Sequence, residues 1–143
     1  MEKLLISNCF LGNNCKYDGG NNYLSKINEL KKKYILVPIC PEVDGGLSTP
    51  REPSEIRNNR VYSKSGIDVT NYFETGALKA LQTAKKEGIT KALLKESSPS
   101  CGKSLIHDGT FTGNKIIGIG ITARLLLSSG IKIYNENEID KLL

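Results

Sequence analysis

Tyr34-Ile35-Leu36-Val37-Pro38-Ile39-Cys40 is the stretch whose reading decides the fold. It is a short, nearly unbroken apolar run that stops on a thiol. A run of this kind, too short for an ordinary helix, is expected of a strand buried on both faces, and Pro38 is tolerable near its end. Two other stretches follow the same plan: Lys3-Leu4-Leu5-Ile6-Ser7 leads to Cys9, and Lys91-Ala92-Leu93-Leu94-Lys95-Glu96 leads into the loop that carries Cys101. In an open parallel α/β sheet the carboxyl ends of the strands face one crevice, where ligands bind. Three thiols far apart in sequence are therefore expected to meet in space.

Outward from these runs, the pattern alternates between strand and helix. Residues 3–8 read as a strand, with Gly12, Gly19 and Gly20 marking the loop after it. Leu24, Ile27 and Leu30, followed by Lys31–Lys33, give an amphipathic helix over 22–33. Gly45-Gly46, Pro50 and Pro53 break the chain into loop. Val61, Tyr62, Ile67 and Val69 predict a hairpin over 55–69, turning at Lys64-Ser65-Gly66. The clearest helix carries Phe73, Ala77, Leu81 and Ala84 on one face, with Thr70 or Asn71 as its cap and Gly88 as its stop. Residues 90–94 form a strand, 114–129 an apolar helix ended by Gly130, and Ile131–Tyr134 a last strand before a short helical tail. The expected fold is a single α/β domain over residues 1–143. It has a mostly parallel sheet with helices on both faces, a Rossmann-like three-layer arrangement, and a small β-hairpin insertion.

Composition narrows the chemistry. At 143 residues with 38% apolar and 24% charged content, the chain is long enough for a real core and is neither disordered nor fibrous. No apolar run approaches the roughly 20 residues of a membrane span, and the N-terminus lacks the apolar stretch of a signal peptide. A cytoplasmic protein with no membrane partner is expected. In that reducing compartment four cysteines are free to bind metal, catalyse or fill the core. With a single histidine, His107, the donor set is thiol-rich and favours iron–sulfur clusters, zinc or cuprous copper over a histidine-rich zinc hydrolase. His107 itself is read as structural or peripheral. The net charge of +5 is moderate, and Lys31–Lys33 complement a helix end. Charge of this size permits nucleic-acid contact without identifying it.

Three loops hold the candidate chemistry. The first, Cys9 to Gly20, offers Lys16, Tyr17 and Asp18, although Asp18-Gly19 equally reads as a tight turn. The second, Cys40 to Pro53, places Glu42 two residues past a thiol as a proton carrier and Arg51 as a forked donor to a polar ligand. An exposed loop carboxylate and a structural salt bridge are the plain alternatives. The third, Lys95 to Ser104, surrounds Cys101 with the hydroxyls of Ser97, Ser98 and Ser100. Such donors either satisfy their own turn or tune a bound metal.

Taken together, Cys9-Phe10-Leu11-Gly12, Cys15-Lys16-Tyr17-Asp18-Gly19, Val37-Pro38-Ile39-Cys40-Pro41-Glu42 with Gly46-Leu47 and Pro50-Arg51, and Lys95 with Ser97-Ser98-Pro99-Ser100-Cys101-Gly102 resemble the thiouracil desulfidase family. The resemblance covers essentially the whole chain. It implies a [4Fe-4S] cluster held by Cys9, Cys40 and Cys101, with one iron left open. It also implies non-redox removal of sulfur from 2- or 4-thiouracil or its nucleoside, giving uracil and hydrogen sulfide. By position it gives Glu42 and Ser97 as catalytic residues. Asp18, Arg51, Ser98 and Ser100 are the expected substrate-binding groups. Some relatives act on thiolated tRNA and carry an extra domain, so a free base or nucleoside is the expected partner and tRNA the less favoured one. Cys15 lies mid-loop, off the strand-end pattern, and is expected to stay outside the ligand set. A cluster- or sulfide-binding module, a thiol redox sensor using Cys9 and Cys15, and a zinc-bound structural domain remain open.

Overall fold

The computed structural model describes residues 1–143. In chain order its elements are β1 (Glu2–Ser7), a 3-10 turn (Asn8–Leu11), α1 (Ile27–Lys31), β2 (Tyr34–Ile39), α2 (Pro41–Asp44), β3 (Ser54–Arg57) and β4 (Arg60–Ser63). There follow α3 (Thr70–Glu87), β5 (Lys91–Leu93), β6 (Leu105–His107), β7 (Lys115–Ile117), α4 (Ile121–Ser128), β8 (Lys132–Tyr134) and a closing 3-10 turn (Glu136–Lys141). The main sheet runs β2-β1-β5-β8, and all three of its pairings are parallel. β1 and β2 pair over their full length, Glu2 opposite Tyr34 and Ser7 opposite Ile39. Cys9 and Cys40 therefore leave the sheet side by side.

Both faces of that sheet are covered. Along β1, Leu4 and Ile6 join Phe10, Ile27, Leu30, Tyr134, Ile139 and Leu142 in one apolar cluster. Leu5, between them, joins Ala80, Ala84, Ala92, Ala123, Leu126 and Ile133 in the other. The alternation of side-chain direction along a strand splits a continuous apolar run between two cores, which is why the run carries no polar face. The expected three-layer α/β architecture is present. No helix is long and apolar enough to cross a membrane.

Four local expectations need correction. The helix expected over 22–33 is only Ile27–Lys31. Before it, the Asn22 and Leu24 amides donate to the Cys9 and Phe10 carbonyls at 3.0 and 3.1 Å, which keeps that segment beside the first loop. The β3–β4 hairpin turns at Asn58-Asn59, both at positive φ (52° and 63°), because asparagine tolerates the left-handed region. Lys64-Ser65-Gly66 makes the next bend, bringing Asp68 back to Tyr62. Neither Thr70 nor Asn71 caps α3; Asp68 Oδ1 accepts from the Thr70 amide at 2.9 Å. The Thr70 hydroxyl faces inward and accepts from Val61 N–H at 2.8 Å.

The largest departure lies in 114–129. Its first part is β7, antiparallel to β6 with His107 opposite Lys115, and α4 begins only at Ile121. The amides of Gly120, Ile121 and Thr122 are taken by the carbonyls of Gly102, Pro99 and Ser100 at 2.8–2.9 Å. The third loop thus caps α4 with its own backbone, satisfying donors that a helix start leaves free.

Candidate active site

β1, β2 and β5 are neighbours in a parallel sheet, so the loops leaving their carboxyl ends share one crevice. Its volume is about 540 Å³. Cys9, Cys15, Cys40 and Cys101 all line it, as do Glu42, Arg51, Ser97, Ser98, Ser100 and His107. Asp18 does not. Its Oδ1 accepts from Gly20 N–H at 2.9 Å, its Oδ2 lies 3.7 Å from Lys16 Nζ, and the Gly20 contact lowers its pKa. Asp18 thus serves as a turn anchor outside the cleft.

Two helices position the thiol loops by close backbone approach. A Cβ at Gly76 of α3 would lie 1.8 Å from the Pro41 carbonyl oxygen, so only glycine lets α2 settle there with Cys40 and Glu42 at its start. A Cβ at Gly120 would stand 2.6 Å from Ser100 backbone atoms, directly behind Cys101.

Each thiol has a distinct setting. Asn22 Nδ2 donates to Cys9 Sγ at 3.4 Å, yet burial dominates and raises the Cys9 pKa. Cys101 is buried deepest; desolvation pushes it up to about 12, opposed by the Ser100 hydroxyl at 3.5 Å from its sulfur. Cys40 Sγ faces the Cys15 carbonyl, and the two thiols perturb each other's titration. The Cys15 thiol as donor lowers Cys40 to about 7, and Cys15 is itself raised. In its protonated form Cys40 donates to the Cys15 carbonyl at 3.8 Å.

Glu42 links the loops. Its Oε1 accepts from Arg51 Nε at 3.2 Å, and its Oε2 lies 3.4 Å from Ser100 Oγ. Ser100 Oγ is also 3.0 Å from Ser98 Oγ, which accepts from the Ser100 and Cys101 amides at 3.1 Å each. Ser97 holds a left-handed φ of 67°, a strained conformation of the kind that gathers at functional sites. His107 Nδ1 lies 3.2 Å from the Ser97 carbonyl, so the histidine buttresses the cleft wall.

Glu96 was not foreseen from the sequence as a site-building residue. It is 7% exposed, and its Oε1 accepts from the amides of Ser97, Lys103, Ser104 and Leu105 at 2.9–3.2 Å. Its Oε2 accepts from Ser104 Oγ at 2.7 Å and Asn135 Nδ2 at 2.6 Å. Burial alone would raise this carboxyl, but the donors outweigh it and bring it down to about 2. The only sequence signal was an acid at the end of a buried strand, ahead of a serine- and glycine-rich turn. Glu55 plays a similar part, accepting from the Gly109 and Phe111 amides at 3.0 and 3.1 Å.

The donor chemistry fits an iron–sulfur group. Four free thiols line one cleft, and hydroxyl and amide donors reach two of the sulfurs. Sulfur ligands with hydrogen bonds to them are the surroundings such clusters use.

Comparison with known proteins agrees. A solved [4Fe-4S]-dependent thiouracil desulfidase, TudS, is 40% identical and matches with a TM-score of 0.94 over 99% of this chain and 95% of its own. The uncharacterised protein YbbK of Bacillus subtilis (strain 168) is 41% identical over 150 residues, 98% of this chain and 99% of the relative. The family model described as 2-thiouracil desulfurase matches residues 4–138. The chain therefore belongs to the 2-thiouracil desulfurase family, that of the carbon–sulfur-cleaving enzyme TudS.

Proposed function

We propose that this protein is a [4Fe-4S]-dependent, non-redox desulfidase acting on a thiolated pyrimidine, 2- or 4-thiouracil or its nucleoside. The overall change is thiouracil plus water to uracil plus hydrogen sulfide. The observation that carries this reading is that Cys9, Cys40 and Cys101 meet Glu42 and Ser97 in one cleft. Its volume of about 540 Å³ is that of a small-molecule site, which favours a base or nucleoside over tRNA. Free thiols throughout suit a reducing cytoplasm as the working compartment.

Cys9, Cys40 and Cys101 are the ligands we assign to the cluster, with one iron lacking a protein ligand. When bound, the cluster supplies a Lewis-acidic, sulfur-seeking iron. The remaining work falls to the chain. Glu42, tied through one oxygen to Arg51, presents its carboxylate to the cleft to take a proton from water or return one to the ring nitrogen. Ser97, set by the Glu96 and His107 contacts on its backbone, orients the ring or donates to charge developing at the reacting carbon. Ser98 and Ser100 offer hydroxyls to the pyrimidine edge.

The test is anaerobic reconstitution followed by iron and acid-labile sulfide analysis beside a thiouracil turnover assay. About four irons and four sulfides per chain are expected, lost on replacing Cys9, Cys40 or Cys101 by Ser. Glu42→Gln is expected to keep the cluster and lose turnover. A cluster without turnover in the unmodified protein would make it a binding module instead, and no iron would defeat both readings.

A further inference from the structure

We propose that Arg51 is a positioning residue, a latch between the first and second loops, and not the forked substrate contact its sequence context predicts. The significance for catalysis rests on the desulfidase reading of Glu42; the latch itself rests on geometry. Arg51 Nε donates to Glu42 Oε1 at 3.2 Å and Nη2 to the Cys15 carbonyl at 3.0 Å. Nη1 donates to the Ser48 carbonyl at 3.2 Å and to Thr49 Oγ1 at 3.0 Å. Four of the five N–H donors of the guanidinium are thus spent inside the protein, and a forked contact needs two that are free. The side chain is only 8% exposed.

The main chain reinforces the same connection, because Arg51 N–H donates to the Tyr17 carbonyl at 2.8 Å. Arg51 therefore holds the first loop at two carbonyls, Cys15 and Tyr17, and the second at Glu42. The Cys15 carbonyl it grips is the one facing the Cys40 sulfur. Glu42, fixed by Arg51 on one oxygen and beside Ser100 on the other, has little freedom to swing. A lysine cannot copy this, since its single ammonium lacks the planar fork that spans the Cys15 carbonyl, Glu42 and the Ser48 turn.

The experiment compares Arg51→Lys and Arg51→Ala with the unmodified chain. In the reconstituted enzyme, Arg51→Lys is expected to lower kcat about 10- to 100-fold with KM changed less than about threefold, the pattern of lost positioning. In the cluster-free chain, amide hydrogen exchange in peptides spanning 9–20 and 40–53 is expected to quicken about tenfold or more in either variant. A KM raised tenfold with kcat preserved would overturn the proposal in favour of substrate contact. Unchanged exchange in both loops would overturn the latch. If the unmodified protein turns over no thiouracil, the desulfidase reading fails, and the exchange measurement still decides the latch. Arg51→Lys carries the test if Arg51→Ala does not fold.

Discussion

The first loop brings two thiols to the cleft, Cys9 and Cys15, and the third brings Cys101, but the third is wound around a buried anion and the first is tied partly at an exposed rim. In the third loop the Glu96 carboxylate collects four backbone amides, a hydroxyl and a side-chain amide out of solvent. In the first, the ties within the loop are exposed, from Asn13 to Asn8 at 2.6 Å and from Asn21 to Asn14 at 2.9 Å, and the part-buried ones come from Asn22 to the Cys9 sulfur and from Arg51 to the Cys15 carbonyl. Hydrogen bonds exposed to water contribute little net stability, whereas a buried carboxylate with several donors is costly to disturb. The third loop is anchored by a buried carboxylate at its own start, and the first is held from outside, by the Arg51 latch of the second loop.

Removing the anion tests that contrast most severely. Glu96→Ala orphans a cluster of buried amides, and a loss of about 3–5 kcal/mol is expected in urea unfolding. The same group sets an acid limit. Its folded pKa of about 2 lies below the ordinary carboxylate value of 4.5, so its contribution is complete above about pH 4.5 and fades as pH falls toward 2. Glu96→Gln should flatten the stability–pH curve in that window. A curve of unchanged slope would show that the third loop is held by something other than this charge.

The second loop depends on shape as well as on the Arg51–Glu42 pair. Gly76→Ala drives a methyl into the Pro41 carbonyl, and a cost of about 1–3 kcal/mol is expected, measured by thermal unfolding. Because α2 carries Glu42, the variant should lose turnover beyond what its stability explains. Wild-type activity in a destabilised Gly76→Ala would separate the second loop from the geometry of the site.

The strands and loops differed in how plainly they could be read. β1, β2, β5 and β8 were legible as short apolar runs between breakers; β1 and β5, inside the sheet, are covered on both faces, while β2 at the edge leaves Ile35 and Pro38 exposed. α3 was legible from Phe73, Ala77 and Ala84 at helical spacing. Ile116 and Ile117 misled because a short apolar run has no period to separate strand from helix, and β7 leaves them exposed instead of using them for core. The convergence of Cys9, Cys40 and Cys101 on one cleft followed from strand ends alone, whereas Cys15, off that pattern, lines the cleft without having been placed there by it. The supports did not follow from strand ends. Glu96 acts on backbone amides that carry no side-chain signature, and Gly76 and Gly120 matter only through what lies against them in space.

The smallest expected effect falls on the first loop. Cys15 lines the cleft with its carbonyl against the Cys40 sulfur, so it is placed as a fourth thiol beside the proposed ligands. What the surrounding structure grips, however, is its backbone. Arg51 and the Cys40 sulfur both address the Cys15 carbonyl, and the Cys15 amide donates to Asn13 at 2.9 Å. Serine preserves all of these. Cys15→Ser is therefore expected to change stability by no more than about 0.5 kcal/mol and to keep the same iron and sulfide content as the unmodified protein. Iron lost in Cys15→Ser would mean that all four thiols close around the cluster. No iron would then be open to a thiocarbonyl sulfur, and the first loop would prove as fixed as the third.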